Sequence, residues 1–297
     1  MLRGPVSSVS GFSLGPDARR WLNRIGSLLG AAGVVFVALR LASYADEIDA
    51  AGIGVGGYVA LLGLAVVYGA SNLLLALGWW RLLRCLGVTA ARGWALRAYA
   101  ISQLAKYVPG NIFQFAGRQA IGVAAGLGNG PLAKSTALEL LLLAAAGALF
   151  VPLTAPLLYN STGVIVAGTA AFLALSVLAI WLAARFGGAE FGRAALCYLG
   201  FLVVSGLIFA GTYHVVGDAS AVPAISWIAG AYVLAWLTGM LTPGAPAGIG
   251  VREAVLLFLL ADLASPPVIL LAVVAGRAVT VLGDLGFYLA GGLFEKR

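Results

Sequence analysis

Hydrophobic positions in this chain fall in long unbroken runs rather than in the spaced stripes of a half-buried surface helix. Runs at about 25–43, 57–79, 137–158, 163–184, 194–216, 223–241 and 267–293 reach or approach the roughly 20 apolar residues that a helix needs to cross a bilayer. Two further apolar segments, at about 111–127 and 248–263, differ from the others. The first contains Gln114, Arg118 and Gln119, and the second is short. They read as half-helices, re-entrant segments or short tilted spans. With 111–127 dipping in and returning and 248–263 crossing, the pattern predicts an all-α, polytopic integral membrane protein. It has about eight transmembrane helices and two interrupted segments in pseudo-repeated halves.

Both unusual segments follow a Pro-Gly pair, and in both an arginine comes at the same spacing: Pro109-Gly110 with Arg118, and Pro243-Gly244 with Arg252. Proline removes an amide donor and glycine relaxes the backbone, so each copy should stop one helix and allow another to start. Inside a membrane such a break survives only where protein or a water-filled cavity supplies hydrogen-bond partners. Paired interruptions in two halves of a membrane protein point to a transporter's binding site. Beyond this spacing the copies diverge: Asn111-Ile112-Phe113-Gln114 stands where the second has Ala245-Pro246-Ala247-Gly248. A pseudo-symmetric pair of half-sites is the expectation, without a claim of gene duplication.

Composition narrows the class. Of 297 residues, 62% are hydrophobic and only 10% charged, against roughly a quarter charged in soluble domains. The polar segment 1–24 is too short for a core of its own. The expected division is therefore a cytoplasmic segment 1–24, a membrane domain 25–293 and a tail 294–297. The net charge of +7 does not call for nucleic acid, because its basic residues sit mainly between spans. Arg19, Arg20 and Arg24 precede the first run, and Asp46, Glu47 and Asp49 follow it. Arg81, Arg84, Arg92 and Arg97 mark the next turn, and Arg185 and Arg193 flank a later one. By the positive-inside rule this alternation predicts both termini in the cytoplasm. Arg40, Arg81 and Arg84 lie close enough to span ends to snorkel. Cys85 and Cys197 are isolated, and the single histidine, His214, lies near a span end, so no metal site, disulfide or cofactor is expected.

Seven ionisable residues in or beside apolar sequence need an explanation: Lys106, Arg118, Glu139, Arg252, Glu253, Arg277 and Asp284. A charge at the centre of a span costs about 2.5–3.5 kcal/mol even on the lenient insertion scale. Arg277 and Asp284 share one helix face two turns apart and can face one cavity. Glu139 lies near the start of its predicted span. Four cations against three anions leave a slight cationic excess, which suits an anionic group such as phosphate. The restarted helices offer free amides at Asn111-Ile112 and at Gly248-Gly250, where glycine also permits close approach. The competing account is internal ion pairing that fixes how the helices pack.

These residues resemble a known family. Lys106-Tyr107-Val108-Pro109-Gly110-Asn111-Ile112, with Arg118 and then Glu139, is similar to the first signature of the lysylphosphatidylglycerol synthase transmembrane family. Pro243-Gly244-Ala245-Pro246-Ala247-Gly248-Ile249-Gly250-Val251-Arg252-Glu253, with Arg277 beyond, resembles its second. Where the first pattern usually has Glu-Arg, this chain has Glu139-Leu140. The resemblance implies a flippase-like domain of the bacterial inner membrane. In bifunctional members that domain moves aminoacylated phosphatidylglycerol between leaflets, and stand-alone relatives are associated with polyprenyl-phosphate-linked sugars or hopanoids. Because the chain ends at Arg297, just after its last apolar run, the resemblance implies no aminoacyltransferase domain.

The sequence thus leads to a lipid transporter whose cargo has a phosphate-containing head group. Arg118 and Arg252 would bind the phosphate, Lys106 and Arg277 would extend the cationic path, and Glu139, Glu253 and Asp284 would balance them or contact an amine-bearing head group. The alternatives are an intramembrane enzyme acting on a lipid phosphate, with Glu139 or Glu253 as base, and a scaffold for a lipid- or glycan-modifying enzyme.

Overall fold

The structure, a computed structural model, describes residues 53–107, 113–157, 159, 161–217, 225–242 and 250–296. The predicted span at 25–43, both Pro-Gly pairs, Asn111 and Gly248 lie outside the described residues. Among those described, all regular structure is helical, and five helical stretches are long and apolar enough to cross a membrane. They are Val55–Cys85, Asn129–Leu157, Thr162–Gly187, Ala189–Val216 and Pro266–Phe294. A sixth apolar helix, Ile225–Leu241, has 17 residues. The chain is a multi-pass helical membrane protein.

The first described helix, α1 (Val55–Cys85), ends in a Schellman turn: the Gly87 amide bonds the Arg84 carbonyl at 3.0 Å and the Val88 amide bonds that of Leu83 at 2.9 Å. Gly87 has φ +74°, which a side chain would strain. The chain then forms a helix that the hydrophobic pattern did not reveal, α2 (Arg92–Gln103), continued by a 3₁₀ turn over Leu104–Tyr107. Next come α3 (Phe113–Ala124), α4 (Asn129–Ala148) and the single turn α5 (Val151–Thr154). α6 (Thr162–Gly187) is capped by Ser161, whose hydroxyl accepts from the Val164 amide at 3.3 Å. It turns at Gly188 into α7 (Ala189–Val216). α8 (Ile225–Leu241), α9 (Val251–Leu259) and α10 (Pro266–Ala290) complete the described helices.

α3 and α9 are the segments beyond the Pro-Gly pairs. At 12 and 9 residues they extend only about 18 Å and 14 Å at 1.5 Å per residue, against a hydrocarbon core of about 30 Å. Their lengths are those of half-helices, and α9 is too short to make by itself the crossing expected of 248–263. α4 begins eight residues before the predicted span at 137. Glu139 therefore sits in mid-helix, not near its start, and is fully buried.

Helix α1 lies at the centre, packed chiefly on α7 and α10, with α2 and α4 also against it. α6 is peripheral: only 11% of its most apolar window is buried, and Leu173, Val177 and Trp181 are among its exposed apolar side chains, as a lipid-facing helix requires. α1 and α10 meet backbone to backbone. A Cβ added at Gly283 would stand 2.6 Å from the Ala65 carbonyl oxygen and 2.8 Å from the Gly69 nitrogen. Small residues allow such an approach between membrane helices, and here it brings Asn72 and Asp284 within hydrogen-bond reach. Gly283→Val should separate these helices and destabilise the protein by at least the ~1–3 kcal/mol typical of overpacking. Thermal unfolding in detergent checks this, with Gly286→Ala, whose added Cβ would meet nothing within 4 Å, as the control. Equal melting of the two variants would contradict the proposed close contact.

Candidate functional site

One cavity of about 100 Å³, partly open to the outside, lies where the flanks of the two interrupted segments converge. Lys106 reaches it from the 3₁₀ turn after α2, Arg118 from α3, Glu139 from α4, Arg252 from α9 and Arg277 from α10. Asp284 and Glu253 bind these cations from α10 and α9. All seven residues singled out by their charge thus belong to one connected region.

Three ion pairs account for six of them. Arg118 pairs with Glu139, donating to both carboxylate oxygens. The Tyr99 hydroxyl donates to Glu139 Oε1 at 2.7 Å. The Arg118 guanidinium also lies over three rings, 4.4 Å from the centroid of Tyr99, 4.9 Å from Trp79 and 5.6 Å from Phe115. Trp79 is itself tied down, its indole donating to Ser135 Oγ at 3.0 Å. Arg118 is therefore clasped on several sides. The ion pair forms although Glu139 is followed by Leu140, because its arginine comes from the neighbouring half-helix.

The second pair joins Lys106 to Asp284, 2.6 Å from Nζ to Oδ2. Asp284 is fully buried and accepts from Tyr107 at 2.5 Å, from Asn72 at 2.9 Å and from Gln103 at 3.5 Å. The third joins Arg277 to Glu253, with Nη2 at 2.8 Å and Nε at 3.2 Å from Oε1. The other Glu253 oxygen accepts from the Gly250 amide at 2.6 Å, caring for the free donor at the start of α9. Arg277 and Asp284, expected to face one cavity, do not both line it: Arg277 does, whereas Asp284 is fully buried behind Lys106 and Tyr107.

Arg252 is the exception. It is buried, 5.7 Å from the Tyr232 ring, and among the described residues no carboxylate lies within ion-pair distance. Its Nε has no hydrogen-bond partner among them either. A buried guanidinium in this state is strongly disfavoured unless an anion reaches it. Of the predicted site residues, Pro109, Gly110, Asn111, Pro243, Gly244 and Gly248 lie outside the described residues, and Gly250 contributes its amide.

Tyr99, Asn72, Gln103, Tyr107 and the aromatic wall around Arg118 were not anticipated. Asn72 carried a usable signal, an amide inside an otherwise apolar run. Gln103 and Tyr99 did not, because their helix reads as a basic turn. Arg81 and Arg84 do not simply snorkel: Glu190 lies 2.8 Å from Arg81, 3.6 Å from Arg84 and 3.0 Å from Arg193, away from the cavity. His214 Nδ1 is 2.7 Å from the Ala210 carbonyl oxygen in its own helix, and both cysteines are free.

No family model matches this chain, and no curated protein matches its sequence. The class stands on the helices and their composition, and the family resemblance rests on the two motifs.

Proposed function

We propose that this protein is a lipid transporter of the flippase kind in the bacterial inner membrane, with both termini in the cytoplasm. It takes a phosphate-containing head group into the cavity while the acyl or prenyl chains remain in the bilayer. The observation that carries this reading is Arg252, a buried guanidinium facing the cavity with no anion among the described residues. Arginine offers a planar fork of donors that matches two phosphate oxygens. The pairing of Arg118 with Glu139 alters its expected role: it supports the cavity wall, and Arg252 is the phosphate-binding residue.

The group-transfer reading needs a carboxylate free to take a proton. Both oxygens of Glu139 accept from Arg118, and Glu253 accepts from Gly250 and Arg277. Neither is available as a base in this arrangement, which favours transport over that alternative.

The test is reconstitution in liposomes carrying head-group-labelled lipids, scored for transbilayer movement and for chemical change. Wild-type protein should move a phosphate-bearing lipid unchanged. Arg252→Gln, which leaves no carboxylate without a partner, should slow that movement by about a hundredfold, the scale of one lost buried charge contact. Conversion of the lipid to a new product would support the enzyme reading. Neither movement nor conversion by folded protein would favour the scaffold.

A further inference from the structure

We infer that an open groove at the end of α1 binds the phosphate head group of an anionic phospholipid from the surrounding bilayer. This site is separate from the cavity and stands whether or not the protein moves lipids. The groove has a volume of about 450 Å³ and is lined by Trp80 and Arg84 of α1 and by the connection 87–91 that leads into α2.

Its shape is held by the protein itself. The turn at Gly87 folds the chain back, and the Trp80 indole donates to the Ala90 carbonyl at 3.0 Å. The guanidinium groups of Arg81 and Arg84 lie 4.9 Å and 5.1 Å from the Trp80 ring centroid. Of these two, Arg84 is the one available to a ligand. Glu190 holds Arg81 at 2.8 Å with one oxygen and Arg193 at 3.0 Å with the other, so Arg84, at 3.6 Å, is the third cation on one carboxylate. Its side chain is 46% exposed. A guanidinium so loosely held keeps donors in a planar fork for a second anion. The connection 87–91 is Gly-Val-Thr-Ala-Ala, which brings no carboxylate to repel that anion and a hydroxyl that can donate to it. Arg92, exposed at the start of α2, follows directly.

The position of the groove points to a lipid as the source of the phosphate. With 31 residues α1 is about 46 Å long at 1.5 Å per residue, against a hydrocarbon core of about 30 Å. Its last two turns, which carry Trp80 and Arg84, therefore stand at head-group depth, where tryptophan and arginine act as anchors. Basic pockets at that level collect anionic head groups. A soluble phosphate ester shares the charge but lacks the chains that keep a lipid's phosphate at this depth and raise its local concentration. α2 then leads from the groove to the cavity, carrying Tyr99 and Gln103, with Lys106 in the 3₁₀ turn beyond. A lipid in the groove steadies the start of the helix whose other end lines the cavity.

The experiment titrates full-length protein in a neutral detergent and follows its melting temperature. The probes are short-chain phosphatidylglycerol, short-chain phosphatidylcholine and soluble glycerol 3-phosphate. Phosphatidylglycerol should raise the melting temperature at a half-saturating concentration about fivefold below that of phosphatidylcholine, the scale of one basic residue at an anionic membrane surface. Arg84→Gln should erase that advantage. Ala91→Glu, which adds a carboxylate at an exposed position of the groove, should erase it too. Arg252→Gln should keep it, because Arg252 lines the cavity and not the groove. An advantage that survives both groove substitutions, or that Arg252→Gln abolishes, would overturn the assignment. Equal action of the two lipids would overturn it as well. Stabilisation by glycerol 3-phosphate as strong as that by phosphatidylglycerol would give the groove to a soluble ester instead of a lipid.

Discussion

Glu139→Ala is expected to destabilise the protein by about 3–5 kcal/mol, the range for breaking a buried ion pair by removing one partner. Arg118 would be left with a desolvated guanidinium, since its side chain is only 4% exposed. The three rings around it would still attract the cation, at about 0.5–2 kcal/mol each. That attraction exists before the substitution as well, so it cannot replace the lost carboxylate. Tyr99 would also lose the acceptor of its hydroxyl. Adding Arg118→Met to Glu139→Ala removes the orphaned charge and should recover part of the loss, the remainder being the cavity left by the glutamate side chain. A four-corner cycle of unfolding measurements in detergent decides the matter. If the double variant is less stable than Glu139→Ala alone, the two side chains are not coupled as described.

Asp284→Ala should have an effect of similar size, for a different reason. This carboxylate is the common acceptor for Asn72, Gln103, Tyr107 and Lys106, so its removal strands three neutral donors and a cation. Each unsatisfied buried neutral donor costs about 1–3 kcal/mol, and some of the three would find other partners, as Gln103 already has in Asn72 Oδ1 at 3.3 Å. A total of about 3–5 kcal/mol is expected. Lys106→Met also leaves a buried charge without its counterion, although the carboxylate keeps three neutral donors, so both variants should melt well below wild type. Melting of Lys106→Met at the wild-type temperature would show that the lysine does not stabilise the Asp284 carboxylate.

Much of the fold could be read from hydrophobic runs because a membrane span needs a continuous apolar surface. The five long helices match predicted runs to within several residues, with α1 and α4 extending furthest beyond them. The ionisable residues were legible by the same logic, since each had to be explained against apolar neighbours. Their pairing was not. Glu139 finds Arg118 across a turn, and Asp284 finds Lys106 from the far end of the chain, contacts set by helix crossing rather than by spacing. α2 escaped notice because Arg92 and Arg97 made its sequence read as a basic connection, although the face bearing Tyr99 and Gln103 is buried. The half-helices were visible as interruptions, and their pairing pointed to a cavity between them, but which side chains line it was not legible beyond the charged ones.

The Asp284 cluster also bears on how the chain is made. Arg118 stands 21 residues from Glu139, and Arg277 stands 24 residues from Glu253, so each of those pairs can close soon after both members leave the ribosome. Tyr107 and Asn72 are separated from Asp284 by 177 and 212 residues. Until α10 is synthesised, Lys106 and the amides around it have no carboxylate from that helix to bind. The N-terminal part of the domain must therefore await its last long helix in an incomplete state, and arrival of Asp284 is the step that seals assembly.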